Sequence, residues 1–260
     1  MPKKIALLIS GSLPENLQAT YGDYGAVFKD FLRRSLPKDD VGFTLDPYDV
    51  VKLEYPSDDQ LDSYDGIMYT GSAASAYEDV EWINRLVAFT ARVVNEKPHI
   101  KVLGICFGHQ IVARALGGEV VPNNGLWEVG PTPLDLTDLG RRLFGVETLN
   151  IQQMHRDHVP VVPPTFELLG STSVSHNQGM VRFAPGTEFD QRTLDNVHII
   201  TLQGHPEFDE GIVSGIVEAR TKSGVIGAEV AADAERRKAW RNDGIPILGK
   251  ALWGVLGVKA

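Results

Sequence analysis

The chain has 260 residues, a formal net charge of -9 and a composition that is 43% hydrophobic and 23% charged. A chain of this length can bury a large core, while its acidity argues against a nucleic-acid partner. It contains one cysteine, Cys106, so no internal disulfide can form, which is typical of a reducing compartment. No apolar run reaches transmembrane length. We therefore expect a single cytoplasmic domain spanning residues 1–260, without contact to membranes or nucleic acid.

Apolar runs alternate with amphipathic stretches in the first half of the chain. The predicted strands are residues 5–9, 43–51, 64–69 and 100–105, and the predicted helices are residues 24–36 and 80–95. The run 5–9 is too short for the apolar region of a signal peptide and no cleavage site follows it, so it is predicted as a strand. Alternating strands and helices predict a doubly wound α/β fold, with a mostly parallel sheet and helices on both faces.

Proline, glycine and polar residues break the second half into short strand-like pieces. These pieces are residues 119–121, 133–136, 151–154, 166–170, 179–183 and 197–202. They predict a small antiparallel layer joined to the main sheet, followed by two closing helices at residues 209–222 and 228–241. The last apolar stretch, residues 245–258, is expected to be a docking segment for a partner, with burial in the core as the alternative.

Cys106 lies in the sequence Gly-Ile-Cys-Phe-Gly-His-Gln, residues 104–110, between a predicted strand and a helix-like stretch. The flanking glycines allow the sharp turn of a nucleophile elbow, and a helix that begins there favours a thiolate. An isolated cysteine is more often a buried apolar side chain, but such a residue does not need two flanking glycines. This frame predicts a nucleophilic thiol, while His109 is expected to pack or hydrogen-bond locally.

His205 is the candidate base for this nucleophile. It follows strand 197–202, and functional groups gather at the C-terminal ends of strands in open α/β sheets. Glu207, two residues later, can hold the tautomer of the imidazole and favour its protonated form. The sequence Gly-His-Pro-Glu at 204–207 also fits a surface turn, but joined to the elbow it predicts a Cys106, His205 and Glu207 triad.

Gly71 lies in the sequence Thr-Gly-Ser, residues 70–72, which ends another predicted strand. Because glycine has no side chain, its backbone N–H can approach a substrate carbonyl closely. Together with the N–H of Phe107, it would form an oxyanion hole with two donors. An ordinary strand-ending turn explains the same spacing.

Together these motifs resemble the class I, or triad, glutamine amidotransferase family. Residues 104–110 match its elbow pattern Gly-[Ile/Val]-Cys-x-Gly-x-Gln, residues 204–207 match its Gly-His-Pro-Glu motif, and Gly71 matches a glycine after the third strand. Residues 154–159, Met-His-Arg-Asp-His-Val, are similar to a Ser-His-x-Asp-x-Val segment in the glutaminase domain of GMP synthetase, with methionine in place of serine. Phe107 and the Met-His-Arg-Asp stretch look closer to free-standing γ-glutamyl peptidases.

The resemblance implies a flavodoxin-like fold and a γ-glutamyl thioester chemistry. Cys106 would attack a γ-carboxamide, His205 would act as base and then as acid, and Glu207 would orient the imidazole. The residues matching positions near the amino-acid end of the substrate are Gln110, His155 and Asp157. For the last two of these, a polar loop beside an edge strand explains the pattern equally well.

We expect a cysteine hydrolase acting on the γ-glutamyl amide bonds of glutamine or γ-glutamyl peptides, because the triad occurs here without a synthetase domain. One alternative is a glutaminase subunit that supplies ammonia to a separate synthase, and another is a non-enzymatic redox or stress-related thiol protein. No cofactor or metal is expected, since the histidines lack ligand spacing and no glycine-rich phosphate loop occurs. The leaving-group side should be lined by residues 72–80 and 123–130, including Tyr77, Trp127 and Glu128.

Overall fold

The computed structural model describes residues 2–38 and 41–259. Its strands are β1 (Lys3–Ile9), β2 (Phe43–Asp49), β3 (Gly66–Tyr69), β4 (Lys101–Ile105), β5 (Val121–Pro122), β6 (Glu128–Leu136), β7 (Leu149–His155), β8 (Asp157–His158), β9 (Glu167–Ser171), β10 (Gly179–Phe183) and β11 (Val197–Leu202). Its α-helices are α1 (Glu15–Tyr21), α2 (Tyr24–Arg34), α3 (Asp58–Leu61), α4 (Glu81–Glu96), α5 (Phe107–Ala115), α6 (Asp138–Phe144), α7 (Glu210–Lys222), α8 (Ala228–Arg237) and α9 (Lys250–Val255). A π-helical segment, Gly244–Gly249, leads directly into α9.

Within these described residues, nine strands form one sheet in the order β2-β1-β3-β4-β11-β10-β9-β6-β7. The strands from β2 to β11 in this order are parallel, and those from β11 to β7 pair antiparallel. The short strands β5 and β8 pair with each other in a second, small sheet. The predicted fold class is confirmed: a doubly wound α/β sheet continues into an antiparallel layer.

The parallel strands alternate their side chains between two cores. On one face, α2, α7 and α9 pack against residues such as Ile5 and Leu7. On the other face, α4 and α5 pack against residues such as Ala6 and Leu8. Because helices cover both faces, nearly every position of a central strand is apolar, which is why residues 5–9 could be predicted as a strand.

The C-terminal segment is part of the first core. Trp253 is fully buried, donates its indole N–H to the backbone oxygen of Leu32 at 3.0 Å and packs edge-on against Phe43. The prediction that residues 245–258 form a docking segment is therefore wrong, because their apolar side chains are already covered by the same chain. Among the helices of residues 2–38 and 41–259, none has the length and apolarity needed to cross a membrane.

Strand β6 and helices α1 and α8 also differ from the sequence prediction. Strand β6 begins at Glu128 and continues through Pro131 and Pro133, where a shorter strand was predicted. It pairs with β7 along residues 128–134 and with β9 only at its end. Along most of β6, the edge that faces away from β7 therefore has no strand partner, and a proline, which lacks a backbone N–H, is tolerated there. Helix α1 was not predicted, and the last closing helix, α8, ends at Arg237.

The sheet order brings three strand ends together. Strand β4 lies between β3 and β11, and Gly104 is in register with Tyr69 on one side and with Thr201 on the other. The segments that carry Gly71, Cys106 and His205 follow these strands at the same edge. This is the C-terminal edge, where ligands bind in open α/β sheets.

Candidate active site

Cys106 forms the turn between β4 and α5, with φ 52° and ψ -103°. A positive φ is uncommon outside glycine, and such strained backbone is concentrated at functional sites. The flanking glycines do not share it and instead permit close packing. A Cβ on Gly104 would lie 2.8 Å from the carbonyl oxygen of Gly108, and one on Gly108 would lie 2.9 Å from that of Tyr69. The strain of the elbow is therefore carried by the cysteine itself.

His205 is held against Cys106 by contacts on several sides. Its Nδ1 lies 2.8 Å from Oε1 of Glu207, which leaves Nε2 available to exchange a proton with Cys106. The ring of Phe208 stacks on the imidazole with centroids 4.1 Å apart, and the backbone N–H of His205 donates to the carbonyl of Gln152 at 2.8 Å. All three predicted triad residues are buried in this arrangement.

The charges around His205 keep a proton on its ring. Burial alone would lower the pKa of this imidazole, but the negative charges of Cys106 and Glu207 and their hydrogen bonds outweigh burial and raise the pKa to about 10. His109 differs, because burial lowers its pKa to about 3 and its Nδ1 contacts Oγ1 of Thr201 at 2.8 Å. At neutral pH His205 is therefore an imidazolium, while His109 is neutral and packs locally as predicted.

Gly71 lies directly against the side chains of His205 and Cys106. A Cβ added to Gly71 would be 2.7 Å from Cε1 of His205 and 3.6 Å from Cβ of Cys106, so no larger residue fits without displacing the imidazole. Phe107 is the first residue of α5, and its backbone N–H has no partner within the helix. Its side chain is buried and stacks on Trp82 with centroids 5.4 Å apart. Both predicted oxyanion donors thus lie next to the thiol.

A small polar pocket contains Cys106 together with the three predicted substrate-binding residues. Gln110 donates its side-chain amide to the backbone oxygen of Asp157 at 3.0 Å, and Nδ1 of His155 contacts the same oxygen at 3.0 Å. The Oδ2 atom of Asp157 accepts a hydrogen bond from Ser75 at 2.6 Å. Its buried Oδ1 has no hydrogen-bond partner among the described residues, so one acceptor of this carboxylate is unused.

Residues 21–215 match the family model described as glutamine amidotransferase class-I. The chain belongs to this family. It is 34% identical to a glutamine amidotransferase-like protein of Schizosaccharomyces pombe, over 95% of this chain and 94% of that protein. It is 30% identical to gamma-glutamyl peptidase 4 of Arabidopsis thaliana, over 86% of this chain and 83% of that protein. A glutamine amidotransferase from Thermotoga maritima shares the fold, with a TM-score of 0.68, 20% identity and coverage of 98% and 99% of the two chains.

Two residues of this site were not predicted from the sequence. Gln203 directs its side-chain amide toward Sγ of Cys106 at 3.7 Å. It directly follows β11, so the strand-end rule that identified His205 could also have found it. Arg220 borders the pocket, with its guanidinium 5.3 Å from the centre of the indole of Trp127, which was expected there. No sequence signal identifies Arg220, because tertiary packing decides which helix face meets the cleft.

The cleft of this class I amidotransferase has two compartments. The smaller is the polar pocket that contains Cys106 and Asp157. The larger has a volume of about 380 Å³ and is lined by His205, by parts of residues 12–18 and by side chains of α7. The residues that border both compartments are Ser72, Ala73, Met154 and Arg220.

The expected lining of the leaving-group side needs correction. Residues 72–75 and Trp127 border the pocket of Cys106, but Tyr77 borders neither compartment. Glu128 is buried, and its Oε2 lies 3.1 Å from Nε2 of His155. The larger compartment is lined by Ser72 and Ala73 of the expected loop and also by α1 and the loop before it, which the sequence pattern did not predict.

Proposed function

We propose that this protein is a cysteine hydrolase that cleaves γ-glutamyl amide bonds through a thioester on Cys106. The observation that carries the proposal is the hydrogen bond between His205 and Glu207 together with the position of Gly71, which lies against the side chains of both His205 and Cys106. The relatives named gamma-glutamyl peptidase 2, 3, 4 and 5 are 28% to 30% identical over at least 83% of this chain, which supports γ-glutamyl peptides as substrates.

In the acylation step, Cys106 attacks the γ-carbonyl carbon as a thiolate while His205 carries the proton. The carbonyl oxygen becomes negatively charged and is stabilised by the backbone N–H groups of Gly71 and Phe107. His205 then gives its Nε2 proton to the departing nitrogen, the C–N bond breaks and the amine leaves. A γ-glutamyl thioester and a neutral imidazole remain.

Deacylation reverses the proton transfer. The neutral His205 takes a proton from a water molecule as the water oxygen attacks the thioester carbonyl. The C–S bond breaks, glutamate is released, and the thiolate of Cys106 and the imidazolium are restored. Glu207 accepts the Nδ1–H hydrogen bond throughout, which fixes the tautomer and stabilises the imidazolium.

Recognition of the glutamyl group is assigned to the small polar pocket. The unpartnered Oδ1 of Asp157 is a suitable acceptor for the α-ammonium group of the substrate. Gln110 and His155 act by holding the backbone of Asp157 from two sides. Removing the α-amino group of the substrate is therefore expected to raise KM more than it lowers kcat.

The proposal is tested by incubating the purified protein with glutamine, a γ-glutamyl dipeptide and the corresponding α-linked dipeptide. Free glutamate should form from the γ-linked compounds only, and Cys106→Ser should abolish its formation. A chloroketone analogue of glutamine should label one thiol per chain, because the sequence contains one cysteine. Failure of every γ-linked compound to release glutamate, together with an unlabelled Cys106, would contradict the proposal.

A further inference from the structure

The two compartments divide a bound substrate at the bond that is cleaved. Cys106 borders only the smaller compartment, whereas His205 borders only the larger one. The acyl carbon must meet Sγ of Cys106, and the departing nitrogen must meet the imidazole that protonates it. The γ-carbonyl end of the substrate therefore faces the smaller compartment, whose volume is about 40 Å³, and the leaving group faces the larger one.

The size of the larger compartment bears on what leaves. Ammonia is about as large as water, whose share of liquid volume is roughly 30 Å³, whereas this compartment holds about 380 Å³. That volume falls within the range of small-molecule binding sites. Its walls include the apolar side chains of Leu13, Phe208 and Ile216. A compartment of this size and lining suits an amino acid or a short peptide.

The charge in this compartment comes from few groups. Apart from His205, the charged residues that line it are Glu15, which is exposed at the start of α1, and Arg220. The side chain of Arg220 has no hydrogen bond and no ion pair among the described residues, and its guanidinium lies 5.3 Å from the centre of the indole of Trp127. A partly buried guanidinium with open donors is a ready-made site for a carboxylate.

Arg156 provides a comparison for Arg220. Its guanidinium also lies near Trp127, 5.7 Å from the centre of the ring, so the indole contacts both arginines. Arg156 is exposed and borders only the smaller compartment, whereas Arg220 borders both. The two arginines carry the same charge near the same thiol, but only Arg220 can reach a ligand on the leaving-group side.

We propose that the larger compartment binds an amino-acid or short-peptide leaving group whose free carboxylate pairs with Arg220. This inference rests on the proposed function, and it adds a specificity-determining residue that acts on the leaving group. An uncharged C-terminus leaves the guanidinium without its partner, so γ-glutamyl peptides with a free carboxylate are preferred over their amides. Glutamine, whose leaving group is ammonia, makes no use of Arg220.

The test compares kcat/KM for γ-glutamyl-alanyl-glycine, for its C-terminal amide and for glutamine. The wild type should prefer the free acid over the amide by about tenfold or more, as expected for a hydrogen bond to a charged group. Arg220→Gln should reduce this ratio to near one, because it should lower kcat/KM for the free acid by a larger factor than for the amide or for glutamine. Arg156→Gln removes an equal charge and should retain the wild-type ratio. Thermal melting of each variant checks that it folds.

Three results would overturn the inference. One is a wild type that cleaves the acid and its amide equally well. A second is an Arg220→Gln variant that loses the same factor on all three substrates, because that pattern would place Arg220 on the glutamyl group or on the thiol. The third is the absence of Cys106 acylation by any of these compounds, which would overturn the proposed function and this inference with it. If Cys106 is acylated but the acid and its amide are cleaved equally well, only this inference fails. If Cys106 is not acylated at all, the proposed function fails as well.

Discussion

Replacing Glu207 by glutamine is expected to shift the upper pH limit of activity downward. The carboxylate lies 2.8 Å from Nδ1 of His205 and is one of the charges that raise the imidazole pKa to about 10. Glutamine can still accept the hydrogen bond, but as a neutral partner. Hydrogen bonds to charged groups are worth about 1.5–3 kcal/mol and neutral ones about 0.5–1.5 kcal/mol, so the loss is about 1–1.5 kcal/mol.

That loss corresponds to roughly one pKa unit, since one unit equals about 1.36 kcal/mol. The proton donor for the leaving amine is protonated His205, which is present below its pKa and lost as the pH rises through it. The alkaline limb of kcat/KM should therefore move from near pH 10 to about pH 9 in Glu207→Gln.

The assay is kcat/KM for a γ-glutamyl dipeptide, measured from neutral pH upward for the wild type and Glu207→Gln. Glu128→Gln is the matched control, because it also removes a buried carboxylate, but one that lies beside His155 instead of His205. Its alkaline limb should coincide with that of the wild type. An unchanged limb in Glu207→Gln, or an equal shift in the control, would refute the electrostatic argument.

Three further substitutions test other parts of the site. Gly71→Ala places a Cβ 2.7 Å from Cε1 of His205, so kcat should fall by about 100-fold or more while circular dichroism stays native; unchanged kcat would disprove the close packing. Gln203→Leu removes the amide 3.7 Å from Sγ of Cys106 and should slow alkylation of the thiol by iodoacetamide severalfold at neutral pH, whereas equal rates would exclude a role for this amide. Asp157→Asn should raise KM for a γ-glutamyl dipeptide about tenfold and leave a substrate lacking the α-amino group unaffected; equal effects on both would show that Oδ1 does not bind the ammonium.

Much of the fold follows from patterns that are local in sequence. The apolar strands 5–9 and 197–202 are predicted correctly, because helices cover both faces of each and leave few polar positions. The positions of Cys106 and His205 follow from the rule that functional residues gather where parallel strands end. The sequence did not reveal that β4 and β11 are neighbours. Because both strands were expected in one parallel sheet, however, Cys106 and His205 at their ends were expected to lie close together.

The parts that could not be predicted depend on packing between distant segments. Helix α1 has one buried residue, Leu17, so its apolar pattern is too sparse to indicate a helix. It becomes the wall of the larger compartment because Gly215 on α7 leaves room for Leu17; a Cβ there would lie 2.5 Å from its Cδ2. The apolar segment 245–258 indicated burial or a partner, and only the position of Leu32 and Phe43 under Trp253 decides between them.

The thioester on Cys106 is the central claim, and a single-turnover acylation measurement tests it most directly. His205→Gln lacks the base for deacylation and the group that takes the proton of Cys106. At a pH of about 9, where a free thiol of pKa about 8.5 is largely ionised, it should still react with the γ-glutamyl ester of p-nitrophenol, whose leaving group needs no proton. We expect one phenolate released per chain and a mass increase of one glutamyl residue on the peptide that contains Cys106, and neither in Cys106→Ser. Release of glutamate by Cys106→Ser, or a glutamyl adduct on any other residue, would contradict the account.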